Sequence, residues 1–292
     1  MNALAVEERA GPLVSIVVLC HNYGRFLPEA LESALAQTHS KCEVVLADNG
    51  STDDSVEVAS RYPDVRVVSK PHRGVERMCN EVIPSVNGDY FVLLDADDAL
   101  APTYVEELLA ALRRNPDAAY AYCRPLLFGA RTGSMRCLPF SAYFLIRRTN
   151  FVNKAALTRK DDFVAVGGYS EDLAEHAFED WDFFLRMLAA GKRGTYVREP
   201  LLRWRRHGEG SRNPELGERV GRSTAVIRAR HRELADRIQD SRGRLYYALD
   251  LATGALDLAV GFSRLPAALR IVEAGSWRRY QRRHAPEPAD GG

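Results

Sequence analysis

Four short apolar runs constrain this chain more than any other feature. They are LVSIVVL (13–19), CEVVLA (42–47), VRVVS (65–69) and DYFVLL (89–94). Short runs rich in β-branched residues mark strands buried in a core. Helical signals separate them. Leu27, Leu31 and Leu35 recur every four residues beside Ala30 and Ala34, which predicts an amphipathic helix. The Gly- and Asp-rich turn DNGSTDDS precedes a short helix over Val56 to Arg61, GVERMCNEVI (74–83) is stopped by Pro84, and Pro102 suits the first turn of TYVEELLAALRR. Strand and helix in alternation predict an α/β fold, a mostly parallel sheet with helices on both faces. Ligands bind such open sheets outside the carboxyl ends of the strands. His21–Asn22–Tyr23, Asp48–Asn49 and Asp95–Asp98 each follow a strand directly. They are expected to converge on one edge.

LLDADDAL (93–100) is the most charged of these strand ends, with Asp95, Asp97 and Asp98 within four positions. Asp favours turns and helix starts, and a helix follows, but one cap needs one side chain. A hard divalent cation, Mg²⁺ or Mn²⁺, removes the repulsion among three carboxylates and commonly shares such ligands with a substrate diphosphate.

Beyond residue 115 the pattern changes. YAYCRPLLFG, FSAYFLI and NKAALT read as further short strands, and FEDWDFFLRMLAAGKRG (178–194) as a helix with acids at its start and Gly191 as its C-terminal cap. From about residue 212 the chain reads as helical and Arg-rich, with a disordered tail over 285–292. Composition narrows the function classes. A net charge of +1 gives no bulk attraction to nucleic acid. Five cysteines without C-x-x-C argue against a disulfide framework and a zinc site. Glu7, Glu8 and Arg9 do not suit a secretory signal, and the longest stretch free of charged side chains, Ala10 to Gly24, falls short of the ~20 residues of a membrane span. A cytoplasmic protein, peripheral to a membrane at most, is the expectation.

Five stretches in order, VSIVVLCHNYGRFL, VVLADNGSTDDS, GDYFVLLDADDALAP, VGGYSEDL and FEDWDFFLRM, resemble glycosyltransferase family 2 over about residues 13 to 210. D-x-D alone is common by chance; the ordered set is specific. The resemblance implies a GT-A fold, Rossmann-like, and an inverting transferase that uses a nucleotide-sugar. In this chain it implies Asp95 and Asp97, with Ala96 between them, as the D-x-D that holds a metal–diphosphate, Asp98 beside them, and His207 as a late histidine reaching the metal or diphosphate. Asp48 corresponds to the acid that contacts the donor base, and Cys20, His21, Asn22 and Tyr23 line the nucleotide pocket. Asp180 corresponds to the general base, with Glu179 adjacent. Arg73 and Arg77 suit phosphate oxygens. Trp181 suits either a sugar ring or the core.

Two departures bear on the donor: Asn49 where many relatives have a second Asp, and Cys79 where many have Arg. The Q-x-x-R-W motif of processive synthases is missing, which favours a single transfer. The expected organisation is a flexible 1–12, a GT-A domain over 13–211 (nucleotide half 13–115, acceptor and base half 116–211) and a C-terminal helical extension over 212–284. Expected partners are a nucleotide-sugar, a UDP-sugar by the family pattern, and a saccharide, lipid-linked or small-molecule acceptor. SWRRYQRRH (276–284) suits contact with an anionic membrane surface, and the helices before it a dimer face or a lid. The contrasting readings are a nucleotide-sugar-binding protein without catalysis and a dinucleotide oxidoreductase. CHNYGRF lacks the G-x-G-x-x-G that the last would need.

Overall fold

A computed structural model describes residues 11–134, 137, 139–147, 150–173, 178–207 and 214–238. The predicted strands form its parallel half: β1 (Val14–Cys20), β2 (Cys42–Asn49), β3 (Val65–Lys70) and β4 (Tyr90–Asp95). Their order is β3-β2-β1-β4, all parallel. Between them run α1 (Leu27–Leu35), α2 (Ser55–Ser60) and α3 (Val75–Val82), and α4 (Tyr104–Arg114) follows. Strand side chains alternate between two cores. Val14, Ile16 and Val18 enter one; Val17 and Leu19 enter the other. Both faces of β1 are therefore covered, which is why its sequence is an unbroken apolar run.

The other half is mixed. A short β5 (Ala99–Leu100) leaves the D-x-D turn, and β6 (Ala118–Gly129) is long and bulged, with Pro125 at the register shift. Proline donates no ladder hydrogen bond, so a bulge is where it fits. β7 (Gly133–Ser134), β8 (Leu157–Arg159) and β9 (Arg193–Arg206) complete a nine-stranded sheet. β8 runs antiparallel to β4 and β6 and joins the two halves, while β6 and β9 are parallel neighbours.

Four elements differ from the sequence reading. FSAYFLI, expected as a strand, forms helix α5 (Ala142–Arg147). Ser141 Oγ accepts from the Phe144 backbone N–H, which caps the helix start, and the buried set Ala142, Phe144, Leu145 and Ile146 packs as one turn. NKAALT is strand only at its end, from Leu157. The helix α6 (Lys160–Ala165) and the 14-residue β9 are additional. Helix α7 (Glu179–Ala189) matches its prediction, and Gly191 follows it with φ 77°. Two C-terminal helices, α8 (Pro214–Arg230) and α9 (Arg232–Arg237), pack against α5 and α7, burying Ile227 completely. No helix among the described residues is long and apolar enough to cross a membrane.

At the edge opposite the site, Ser15, Glu43, Asn87 and Gly88 lock β1, β2 and the approach to β4. Glu43 accepts from Ser15 Oγ and from Asn87, and the Gly88 N–H donates to Ser15 Oγ at 2.9 Å. A Cβ at Gly88 would lie 2.6 Å from the Ser15 backbone nitrogen. Backbone cannot step aside as a flexible side chain can, so Gly88→Ala is expected to destabilise the fold by about 1–3 kcal/mol, with a lower melting temperature by calorimetry.

Candidate active site

Register brings the expected polar groups together. Cys20 pairs with Asp48, and Leu19 with Asp95, so the carboxyl ends of β1, β2 and β4 finish level. They open into a cavity of about 380 Å³ lined by Cys20, His21, Tyr23, Asn49, Met78, Asp95, Ala96, Asp97 and Trp204, among others. Not every predicted residue lines it. Asn22 takes a left-handed conformation, φ 60°, and its Oδ1 accepts from the Thr52 N–H at 2.7 Å, tying the loop after β1 to the loop after β2. Asparagine tolerates that conformation better than most residues. Asp48 is buried and turns back to accept from the Ser51 N–H at 3.1 Å. Its neighbour Asn49 reaches the cavity instead and accepts from the Arg73 N–H through Oδ1. The Asn49 carbonyl also meets the Nδ1 atoms of His21 and His72, whose rings stack 4.1 Å apart. A carbonyl only accepts, so both Nδ1 atoms carry the proton. The Arg73 and Arg77 guanidinium groups lie toward Glu81, at 4.0 and 3.4 Å, and neither lines the cavity.

Asp95, Asp97 and Asp98 present carboxylate oxygens that all lie within 4.8 Å of one another. Each acid has a protein partner among the described residues. Asp95 Oδ1 is 2.7 Å from Lys154 Nζ, Asp97 Oδ2 is 2.7 Å from His207 Nε2, and Asp98 Oδ1 accepts from the Arg205 backbone N–H at 2.8 Å. Each has a second oxygen to offer, and an all-oxygen donor set suits a hard divalent cation. The ring of His207 packs against Phe26, 5.2 Å between centroids, which holds it over Asp97. Burial pushes the Asp98 carboxyl up to about 8, the charges of Asp95 and Asp97 add to the shift, and the Arg205 N–H opposes it.

Helix α7 carries the second set of acids. Burial, and then the charge of Glu179, push Asp180 up to about 7, against Lys154, the Trp181 N–H and the Asn150 side chain. Trp181 is buried and donates from Nε1 to the Leu145 carbonyl at 2.8 Å, so it belongs to the core and not to a sugar-stacking face.

Lys154 stands between the two sets of acids and was absent from the sequence reading. Burial works against its ammonium, but Asp95 and Glu179 outweigh that and hold it charged, above the ordinary lysine range. One signal was available. Lysine fills only five of the 40 basic positions (41, 70, 154, 160 and 192), so each lysine in this arginine-biased chain is a departure to explain.

The sequence model described as Glycosyl transferase family 2 matches residues 15–178. The chain belongs to that family. It is a glycosyltransferase, and the loops after β1 and β2, the D-x-D turn and Lys154 all fall inside the matched segment. Among relatives, the putative glycosyltransferase EpsE of Bacillus subtilis is 25% identical over 231 residues, 75% of this chain and 82% of that one. Chondroitin synthase of Escherichia coli is 35% identical over 115 residues; these are 38% of this chain and 17% of that enzyme, so the likeness spans a small part of its length. Solved structures share the GT-A architecture. TarS 1-349 of S. aureus, solved with UDP-GlcNAc, superposes with a TM-score of 0.60 at 18% identity, over 74% of this chain and 66% of that one, just under two thirds. The mannosyltransferase PcManGT of Pyrobaculum calidifontis, solved with GDP-Man and Mn²⁺, gives 0.55 at 18% identity over 93% and 81%.

The raised Asp98 carboxyl makes the glycosyltransferase's stability depend on pH in a stated direction. An unfolded Asp titrates near ~4. Stability from the protonated form is therefore full below that range and is lost as pH rises toward about 8. Asp98→Asn keeps an oxygen for the Arg205 N–H and removes the titration. Without added divalent metal, the melting-temperature advantage of Asp98→Asn over the parent should be larger at pH 8 than at pH 5. A flat difference would show that Asp98 carries no proton.

Proposed function

We propose that this glycosyltransferase is a metal-dependent, inverting enzyme that moves a single sugar from a nucleotide-sugar, with a UDP-sugar as the first donor to test, to a saccharide, lipid-linked or small-molecule acceptor. The observation that carries the proposal is one charge, Lys154, acting on both the D-x-D acids and the Glu179–Asp180 pair. That supports a donor site and a base site within reach of one another. The relatives solved with UDP-GlcNAc and with GDP-Man and Mn²⁺ support the donor class and the metal.

In this reading residues 13–115 hold the nucleotide, and 116–211 hold the acceptor and the base. His21, Tyr23 and Asn49 line the pocket of the base and ribose, and Asp48 holds the turn beneath it. Asp95, Asp97 and Asp98, with His207 beside Asp97, hold the cation. When bound, Mg²⁺ or Mn²⁺ stabilises the charge that builds on the diphosphate as it leaves. Asp180 takes the proton from the acceptor's O–H or N–H. The acceptor atom then bonds to the anomeric carbon from the face opposite the diphosphate. The anomeric C–O bond breaks, the nucleoside diphosphate departs with the electron pair, and the configuration inverts. A base elevated to about 7 is well matched to a neutral working pH.

Three outcomes test this. Asp180→Asn should abolish transfer and leave UDP binding by calorimetry within twofold of the parent, on the order of measurement error for a residue outside the donor site. Transfer at parental rate by Asp180→Asn refutes the base assignment. The rate should fall as pH drops below about 7, as Asp180 takes up its proton, and that limb should be missing from the residual rate of Asp180→Asn. Asp97→Ala should weaken UDP binding in the presence of Mn²⁺ and remove the difference between Mn²⁺ and EDTA. Metal-enhanced binding by that variant counts against the cation site.

A further inference from the structure

The acids of α7 do not all face the site. Asp182 lies two residues beyond Asp180, about 200° around the helix, and so on its opposite side. It is completely buried and gathers donors from three directions. Ser170 Oγ reaches it at 2.7 Å from the turn before the helix, and Arg186 Nε at 2.8 Å from the next helical turn. His231 Nε2 reaches it at 2.9 Å, and Arg230 at 3.4 Å, from the end of α8 and its junction with α9. Burial alone would neutralise such a carboxyl; the bonds from His231, Arg186 and Ser170 outweigh it and hold Asp182 well below the ordinary carboxylate range. A carboxylate only accepts, so His231 donates from Nε2.

The start of α7 needs this support. Its N-cap residue, Phe178, is left-handed at φ 75° and makes no side-chain capping bond. An uncapped helix start leaves backbone donors unsatisfied and is prone to fray. The first turn carries Glu179 and Asp180. Arg186 also binds the Val166 and Gly168 carbonyls at 2.6 and 2.5 Å, which fixes the helix to the 166–170 turn. Trp181, in the first turn, is tied to α5 through the Leu145 carbonyl, and a further restraint comes from the C-terminal helices. His231 is 8% exposed, and Arg230 also pairs with Asp172.

We propose that α8 and α9 position the catalytic base, with His231 and, more weakly, Arg230 holding Asp182 and hence the first turn of α7. The proposal rests on the reading of Asp180 as the base. His231 and Arg230 are positioning residues, acting from the side of α7 away from the acceptor. The cavity lies on β1, β2, α3, β4 and β9, whereas the side-chain hydrogen bond of His231 goes to α7. Loss of the clamp should therefore slow transfer without loosening the donor.

The test compares His231→Leu, His231→Gln, Arg230→Gln and Asp180→Asn in the full chain, measuring kcat, donor KM and UDP affinity with Mn²⁺. His231→Leu should lower kcat on the order of ten- to a hundredfold, the scale of a misplacement near 1 Å, with donor KM and UDP affinity within about twofold. His231→Gln, whose amide N–H reaches the same carboxylate, should recover most of the rate. Arg230→Gln should show a smaller loss of the same kind. Parental kcat in His231→Leu overturns the proposal. So does loss of UDP affinity in step with kcat, which would mark general structural damage. Should His231→Leu fail to fold, Arg230→Gln decides, and an unchanged kcat there overturns the proposal. Normal transfer by Asp180→Asn defeats the base reading itself; abolished transfer in Asp180→Asn beside an unaffected His231→Leu defeats the clamp alone.

Discussion

Crowded negative charge governs this structure. Five acids, Asp95, Asp97, Asp98, Glu179 and Asp180, come to one edge of the sheet from two elements far apart in sequence. Left alone they would repel one another and drive the edge open. Lys154 supplies the counter-charge from the turn before β8, the strand that joins the parallel half to the mixed half. Its placement depends on the whole sheet, and the geometry of the acids depends on it. Charge balance and chain topology are therefore one problem here. The ammonium answers part of it within the protein, and in the proposed function a divalent cation would answer the rest.

The legible portion of the sequence is the portion where local pattern and global burial agree. LVSIVVL and DYFVLL could be read because strands covered on both faces must be apolar throughout, and the acids after them because open parallel sheets place ligands there. FSAYFLI was misread for an equally physical reason. A short apolar run has no period long enough to separate strand from helix, and the deciding feature was one cap, Ser141, rather than the run itself. The long β9 escaped notice because RGTYVREPLLRWRR alternates irregularly around a bulged partner.

Within the site, motif residues were easier to find than their orientation. Asp95, Asp97 and His207 do meet, and Glu179 and Asp180 do lead their helix. Asp48 was chosen for its type and position, but a turn took its carboxylate and left Asn49 at the cavity. Lys154 and His231 were missed because their meaning lies in tertiary partners, Asp95 and Asp182, that no spacing rule connects to them. SWRRYQRRH, the region beyond residue 238 and the N-terminal ten residues lie outside the described structure, so their expected roles were not examined by it.

The level ends of β1, β2 and β4 have an evolutionary consequence. Along β4, Leu94 enters one core, Leu93 the other, and Asp95 comes one step later at the rim. Strand side chains change face at every residue, so losing or gaining one residue between Tyr90 and Leu94 would exchange the two cores and carry the first aspartate to the wrong side. Lineages can lengthen the surface loops freely, but this strand has to keep its count. Diversification of such an enzyme is therefore channelled away from the D-x-D strand end and toward the surface loops.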